Sequence, residues 1–431
     1  MQRSIIAPAE RVTNLRWTMA VLVGFGILVA SFDQVSLSVS GAALSEQFGL
    51  NDVGLGLLLS TFGWAYAIAS IPLGLVLDRI GAAKMGRAWS LAWGLVSLLT
   101  AFASSFGLLI GARAALGIAQ APALPTAAKA TGLWFPVNER SLGTATFDAA
   151  GKLAIAIGIP LLMFITVWHG WHATFLFTGV CALVYFIANL LWYHDPAEHT
   201  GLTYAEQQYL ANGGAQGAGL PAGVNVFASA KTWGLTIGYF AYAFAFLLFV
   251  TWLPAYFARA FHVGGFTSAL SAALPWLVAA IADIVIGGAL VDRLVRGSAN
   301  PSATRKTILI IGMLLGLAVF GAALTHDQTT ALVYISIAIV GLGISAPVAW
   351  SIPSLIAPRG GTGTIAALMN GAGALGGIAA PIAAGFLLQA TGNFEDVFIA
   401  AAIVLVIGIL SYLFVLGRIE PIDASGGGLT I

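Results

Sequence analysis

The sequence predicts an all-α membrane protein with twelve transmembrane helices arranged as two six-helix bundles. Three observations support this fold class: an apolar composition, twelve apolar stretches of spanning length, and the placement of basic residues at one end of those stretches. The chain has 431 residues, of which 59% are hydrophobic and 8% are charged, and its mean hydropathy is +0.93. This composition excludes an ordinary soluble domain.

Twelve apolar stretches have the length of a transmembrane helix, which needs about 20 predominantly apolar residues. They lie at residues 17–44, 53–77, 86–104, 106–128, 141–165, 172–192, 233–257, 266–291, 307–324, 329–351, 362–390 and 394–416. We number these predicted helices 1 to 12. Prolines within several of them predict kinks, and the glycines between Gly371 and Gly385 predict that helix 11 packs closely against its neighbours.

The basic residues are distributed as expected for an even number of spanning helices. With the N-terminus in the cytoplasm, all of the 18 Lys and Arg residues except Arg113, Lys152 and Arg259 lie in cytoplasmic loops, tails or helix ends. Cytoplasmic segments carry such an excess of positive charge. The sequence therefore predicts a multi-pass protein of the inner (plasma) membrane with both termini in the cytoplasm.

A polar segment divides the chain into two sets of six helices. It contains the capping box Thr203-Tyr-Ala-Glu206, which predicts a short amphipathic helix, followed by a glycine-rich run. We therefore predict an N-terminal six-helix bundle over residues 1–192, a cytoplasmic linker over 193–231, and a C-terminal six-helix bundle over 232–431.

A repeated motif relates the two bundles. Gly74-Leu-Val-Leu-Asp78-Arg79 ends helix 2, and Gly288-Ala-Leu-Val-Asp292-Arg293 ends helix 8. Parallel repeats of this kind are typical of transporters that enclose a site near the membrane midplane. Because these charges lie at cytoplasmic helix ends, we interpret Asp78, Arg79, Asp292 and Arg293 as gate or inter-helix contacts rather than substrate ligands.

Two cations lie well inside predicted helices. An intramembrane Arg costs at least about 2.5 kcal/mol, so Arg113 in helix 4 is a candidate site residue. It could grip a carboxylate through two parallel hydrogen bonds, or it could be held by carbonyls of the kinked helix or by Asp33. Lys152 in helix 5 could be a second contact for an anion, or it could form only a local ion pair with Asp148, four residues earlier.

Three intramembrane carboxylates are candidates for proton coupling: Asp33, Asp148 and Asp283. A carboxylate balanced between an apolar environment and a nearby cation can load a proton on one side of the membrane and release it on the other. Asp33 is the strongest candidate on this basis, and its alternative role is that of a fixed partner of Arg113 or Lys152.

Neutral polar side chains complete the predicted cavity. The candidates are Gln34, Tyr66, Gln120, Tyr239, Tyr242, Trp350, Ser351 and Asn370. For the aromatic residues, packing in the core is the main alternative. His169 and His172 have no acidic or thiol companions, so we expect no metal site.

The motifs together resemble the major facilitator superfamily over nearly the whole chain. Gly74-x-x-x-Asp78-Arg79-x-Gly81-x-x-Lys84 is similar to its motif between helices 2 and 3, and Arg113-x-x-x-Gly117-x-x-x-Ala121-x-x-x-Pro125 is similar to its helix 4 motif. The resemblance implies the major facilitator fold and transport by alternating access.

Within that superfamily, the chain resembles the anion:cation symporters, which carry sugar acids and other organic anions. The similar segments include Phe62-Gly-Trp64-Ala-Tyr66, Trp134-Phe135-Pro136-Val-Asn-Glu139-Arg140, Gly170-Trp171-His-Ala-Thr-Phe175 and Met369-Asn370. By this resemblance, Tyr66 and Asn370 lie near the substrate.

The chain departs from that family at two positions. Gln34 stands where members often carry an anion-binding Arg after the helix 1 Asp, and Gln120 stands where many carry a proton-coupling Glu. Lys152 lies where Gln is common, so the number of cations in the cavity would be kept by relocation.

The sequence thus predicts a secondary active transporter of a small organic anion, a carboxylate or sugar acid, with proton-coupled uptake by alternating access. Substrate contacts are expected from Arg113, Lys152, Tyr66, Gln34, Gln120 and Asn370. The alternatives are an exporter of drug-like compounds, an anion uniporter or exchanger without proton coupling, and a membrane receptor without transport. No nucleotide-binding or catalytic motif is present in the sequence. We therefore expect no enzymatic activity, no cofactor and no nucleic-acid partner, and a monomer in the bilayer.

Overall fold

The computed structural model describes residues 12–217, 225–261, 265–325 and 327–422, and within them the chain is helical apart from short connections. The helices of the N-terminal half are α1 (Leu15–Phe48), α2 (Asp52–Ile80), α3 (Ala82–Thr100), α4 (Phe106–Gln120 continued by Ala123–Trp134), α5 (140–169) and α6 (171–192). Helices α5 and α6 form one continuous element, Arg140–Trp192, that is broken at Gly170, where φ is 79° and ψ is 166°.

The C-terminal half contains six further helices. They are α7 (Ala230–Phe261), α8 (Gly265–Ala282, Asp283–Leu290 and Val291–Arg296), α9 (Pro301–Gly316 and Val319–Ala323), α10 (Gln328–Ile356), α11 (Thr362–Thr391) and α12 (Glu395–Leu410 and Ser411–Val415). The middle segment of α8 and the last segment of α12 are π-helical. The described residues form the twelve predicted helices, although most helices are longer than their apolar stretches.

Helix α4 shows one of the predicted proline kinks, whereas the form of α8 was not predicted. Helix α4 is interrupted at Ala121 and Pro122 because a proline ring cannot continue the hydrogen-bond ladder of the preceding turn. Helix α8 widens into a π-helix that begins at Asp283. Such segments are rare and occur frequently at functional sites.

The linker packs on the end of the N-terminal half. Its predicted helix, Tyr204–Asn212, is present, and the Thr203 side chain accepts a hydrogen bond from the Glu206 backbone N–H as the capping box requires. Arg16 at the start of α1 pairs with Glu206 at 3.3 Å and with Glu139 at 2.8 Å. We call this end of the helical bundle the linker end, and the opposite end the distal end.

Candidate functional site

At the linker end, Asp78 joins the two halves. Its carboxylate accepts hydrogen bonds from the backbone N–H groups of Gly363 and Thr364, both at 2.7 Å, and from the Thr364 hydroxyl at 2.6 Å. Lys129 of α4 pairs with the same carboxylate at 2.7 Å and donates to the Gly360 carbonyl at 3.2 Å. A carboxylate of α2 therefore caps the N-terminus of α11, where the helix dipole favours negative charge.

Asp292 does the same in the opposite direction. Located in the last segment of α8, it accepts hydrogen bonds from the backbone N–H groups of Ser141 at 3.1 Å and Leu142 at 2.8 Å, at the N-terminus of α5. The repeated motif of the sequence thus gives two equivalent contacts across the halves. Its arginines, Arg79 and Arg293, are exposed and form no ion pair with any residue that the structure describes.

Further contacts close the linker end. Arg140 of α5 donates to the Ser354 carbonyl of α10 at 3.0 Å. Gln216 of the linker donates to the same carbonyl at 2.6 Å, accepts from the Thr362 hydroxyl at 2.6 Å, and binds the Gly132 carbonyl of α4 through its backbone at 2.9 Å. Ser354 is buried beneath these contacts. The described structure is therefore closed at the linker end.

Replacing Asp78 by Asn should open this end. The Asn amide has one accepting oxygen, and an N–H₂ donor replaces the second oxygen. The groups around it, three hydrogen-bond donors and Lys129, are all donors themselves. Charge-assisted hydrogen bonds worth about 1.5–3 kcal/mol each are therefore weakened or lost. We expect a cysteine at Ser354, in a Cys181→Ser background, to react with a maleimide roughly tenfold or more faster in Asp78→Asn, since each 1.4 kcal/mol changes the open population about tenfold.

Asp327→Asn is the matched control for that experiment. Asp327 also caps a helix N-terminus, accepting from the Thr330 N–H at 2.8 Å, but it does so at the exposed start of α10. Its replacement should leave the labelling rate at Ser354→Cys unchanged. An equal rate in Asp78→Asn and its parent would remove Asp78 from the gate.

Deeper in the bundle, three charged side chains meet between the halves. Lys152 of α5 pairs with Asp148 of the same helix and, at 2.8 Å, with Asp283 of α8. We call Asp148, Lys152 and Asp283 the charged triad. Lys152 and Asp283 are buried, and the second carboxylate oxygen of Asp283, Oδ1, has no hydrogen-bond partner among the described residues. The local ion pair predicted between Asp148 and Lys152 is present, but it is one part of a larger contact that crosses the halves.

Aromatic side chains of the C-terminal half surround the triad. The Lys152 ammonium lies 5.5 Å from the centre of the Phe246 ring, within cation–π range. Phe246 packs on Tyr242, which stacks on Tyr239, and Tyr239 meets Trp350 edge to face at 5.3 Å. Tyr239, Tyr242 and Trp350 were predicted to line a cavity or to pack in the core. In the structure they form an aromatic wall beside a buried cation.

Tyr66 and Asn370 form a second polar contact between the halves. The Asn370 amide donates to the Tyr66 hydroxyl at 2.9 Å and to the Ala121 carbonyl at 3.3 Å. The accepting carbonyl lies at the break in α4. The family resemblance implies that Tyr66 and Asn370 lie near the substrate, and the structure brings the two side chains into direct contact.

Arg113 and Gln120 lie on the same face of α4, directed into the N-terminal half. The Arg113 guanidinium stacks on Phe175 of α6 at 5.0 Å from the ring centre. Its Nε and Nη2 atoms, and both polar atoms of the Gln120 amide, have no hydrogen-bond partner among the described residues. Arg113 forms no ion pair with Asp33 or with any other described residue.

Asp33 is enclosed by neutral donors. Trp93 and Ser97 of α3 and Thr178 of α6 all donate to its carboxylate, the last at 2.9 Å. All three donors belong to the N-terminal half, and the side chain is fully buried. Gln34, the next residue, is exposed. Asp33 therefore lies within one half and not between the two.

The whole-chain pattern has a clear counterpart among known proteins. The sequence profile of the Major Facilitator Superfamily matches residues 23–381. The chain belongs to this superfamily. The resemblance inferred from the two motifs is thus confirmed, and the protein is a membrane transporter by family rather than an enzyme.

Individual relatives of this facilitator cover nearly its whole length. The transporter YybO of Bacillus subtilis, whose function is uncharacterized, is 34% identical over 420 residues, covering 96% of this chain and 97% of that protein. The D-galactonate transporter of Escherichia coli is 30% identical over 423 residues, covering 94% and 97%. The crystal structure of the human organic anion transporter MFSD10 shares the fold, with a TM-score of 0.71 at 16% identity and coverage of 92% and 99%.

Several contacts of the facilitator escaped sequence reasoning. The three donors around Asp33 are ordinary residues of apolar helices, and nothing in their spacing relates α3 to α6. Gln216 lies in a glycine-rich run that predicts only a loop. The sequence indicates for Lys129 only that it is one of the cytoplasmic cations. Its position four residues after Pro125 does not indicate that it pairs with Asp78.

Proposed function

We propose that this protein is a secondary active transporter that carries a small organic anion, a carboxylate or sugar acid, into the cell together with protons. The observation that supports this most is Lys152, a buried cation at the contact between the two halves. In an alternating-access transporter the substrate binds between the halves. A cation at that depth is costly unless it has an anionic partner. When the halves separate and Lys152 loses Asp283, a substrate anion can take the place of that carboxylate.

The two moving bodies would be the bundles of residues 1–192 and 232–431, joined by the linker 193–231. Helix pairs α2 with α11 and α5 with α8 form the contact between them. Rocking about this contact would release the Asp78 and Asp292 caps at the linker end while the distal end closes. The closed linker end corresponds to a state in which substrate enters from the distal end.

The predicted substrate contacts fall into two groups by position. Lys152, Tyr66 and Asn370 lie between the halves, and we propose that they contact the substrate directly. Arg113 and Gln120 point into the N-terminal half, with unpartnered polar atoms that can bind water or an anion. We propose that Arg113 contributes mainly through its positive potential, because its guanidinium is stacked on Phe175. Gln34 contributes as an exposed neutral group on α1.

We further propose that the linker end faces the cytoplasm of the inner membrane, with both termini on that side, and that one chain is sufficient for transport. The excess of Lys and Arg at that end supports this orientation. The labelling of Ser354→Cys described above also reports the side of the membrane. When Asp78→Asn opens the linker end, the maleimide should reach the cysteine only from the cytoplasm.

The test of substrate class compares anions with their neutral counterparts. Purified protein is heated with D-galactonate or with D-galactose, which has a similar size and similar hydroxyl groups but no charge. A ligand at 100 times its Kd stabilises the folded state by about 2.7 kcal/mol, so the sugar acid should raise Tm while the sugar leaves it unchanged. Counterflow of the acid into proteoliposomes should follow the same preference.

Other outcomes select the alternatives. Equal effects of D-galactose and D-galactonate would contradict an anion site. Stabilisation by lipophilic drugs alone would identify an exporter of drug-like compounds. Counterflow of the acid, without any accumulation driven by a pH gradient, would identify an anion uniporter or exchanger.

A further inference from the structure

The charged triad carries an excess negative charge. Two carboxylates, Asp148 and Asp283, face one ammonium, Lys152, so the ionised triad has a net charge of −1. No further ion pair reaches it among the described residues. Burying an additional uncompensated charge would cost several kcal/mol. The triad therefore cannot accept a monovalent anion at Lys152 without taking up a positive charge.

Asp283 differs from Asp148 in how it is held. Asp148 is on the same helix as Lys152 and four residues before it, so their contact is unaffected by movement of the halves. Asp283 belongs to the opposite half and is fully buried, and its Oδ1 atom has no hydrogen-bond partner in the part of the chain that the structure describes. It also begins the π-helical segment of α8, opposite Gly343 of α10, where an added Cβ would lie 2.9 Å from Oδ1.

We propose that Asp283 is the proton carrier, and that it is protonated when the substrate anion replaces it on Lys152. The anion then pairs with Lys152 and Asp148 keeps its contact, while a hydronium ion from the aqueous side gives its proton to an Asp283 oxygen, forming an O–H bond and leaving water. The charge of the site stays at −1. On the other side of the membrane the anion leaves, the proton returns to water, and Asp283 pairs with Lys152 again. This inference rests on the proposed anion transport and adds its coupling site and a ratio of one proton per monovalent anion.

Few titratable groups face Asp283 among the residues that the structure describes, so a change in pH dependence can be assigned to it. From α5 they are Lys152 and Asp148, and from α7 Tyr242. Helix α10 presents Gly343, and between Gln328 and Ile356 it contains no charged residue. Asp33, the strongest candidate from sequence, keeps three neutral donors that all move with its own half. Its environment would not change as the halves separate.

The experiment measures two activities of the full chain in proteoliposomes with D-galactonate as the probe: counterflow, and accumulation driven by a pH gradient. In Asp283→Asn the ratio of accumulation to counterflow should fall roughly tenfold or more, and the remaining counterflow should no longer depend on pH between about pH 5 and pH 8. The exposed acid Asp327 supplies the control, and Asp327→Asn should keep the wild-type ratio.

Each other result has a definite meaning. A wild-type ratio in Asp283→Asn overturns the proposal, as does a loss of the ratio in Asp33→Asn instead. If the wild-type protein itself shows counterflow but no pH-driven accumulation, the proton-carrier proposal is overturned while the proposed anion transport stands. Absence of D-galactonate counterflow in the wild type, with binding that does not distinguish it from D-galactose, would contradict the proposed function itself.

A second variant guards against misfolding of Asp283→Asn. Asp283→Glu keeps the acid but moves the carboxylate by one methylene, so it should restore coupled accumulation with a shifted pH midpoint. An unchanged midpoint in a folded Asp283→Glu protein would place the proton elsewhere.

Discussion

Replacing Lys152 by Gln is expected to abolish transport of carboxylates, with a loss of roughly 100-fold or more in counterflow. The substitution removes the anion contact and leaves both carboxylates, the fully buried Asp283 and the partly buried Asp148, without their cation. Loss of about 2.7 kcal/mol of interaction with the anion lowers binding about 100-fold, and the broken ion pair additionally costs about 3–5 kcal/mol of folding stability. Counterflow at fixed protein content measures the effect.

Two controls separate the site from general damage. Lys231→Gln removes a lysine whose partner, Glu420, is exposed, so counterflow should change less than about twofold, as is usual for surface ion pairs. The double variant Lys152→Gln with Asp283→Asn removes one charge of each sign, and should recover the thermal stability lost in Lys152→Gln without recovering transport. Recovery of both would show that Lys152 serves only to neutralise the carboxylates.

The triad also shows how far sequence reasoning reaches. The spacing of Asp148 and Lys152 predicts an ion pair, because residues four apart share one face of a helix. Asp283 is 131 residues from Lys152, and its depth within helix 8 marks it as unusual but does not indicate its partner. Which helices of the two halves cross at that depth is decided by packing of the whole bundle.

At the linker end, the repeated Gly-x-x-x-Asp-Arg motif predicted two equivalent inter-helix contacts at the ends of helices 2 and 8. It did not predict that each carboxylate caps a helix of the other half, because the ligands of Asp78 and Asp292 are mostly backbone N–H groups, which every residue possesses. For Asp33, the expected cationic partner was one of two alternatives, and the structure surrounds it with hydroxyl and indole donors instead.

The helix 4 motif yields the second large effect, which concerns folding. Gly117 packs against the backbone of α2: an added Cβ would lie 2.4 Å from the Phe62 carbonyl oxygen, 3.0 Å from the Tyr66 nitrogen and 3.1 Å from the Ala65 Cβ. These are mainly backbone atoms, so a side-chain rotation cannot relieve the clash. We expect Gly117→Ala to destabilise the protein by about 1–3 kcal/mol through overpacking, and to lower Tm and the yield of folded protein.

Gly111 of the same helix provides the comparison, because an added Cβ there meets no atom within 4 Å. Ala is the better helix former by about 1 kcal/mol, so Gly111→Ala should leave Tm unchanged or raise it slightly. The displacement of α2 in Gly117→Ala also moves Tyr66 away from Asn370, so the surviving protein should transport more slowly than its folded fraction accounts for. If Gly117→Ala melted like Gly111→Ala, the close approach of α2 and α4 would not be what the glycine provides. The role of the helix 4 motif would then rest on Arg113 alone, and its guanidinium packs on Phe175 without involving α2.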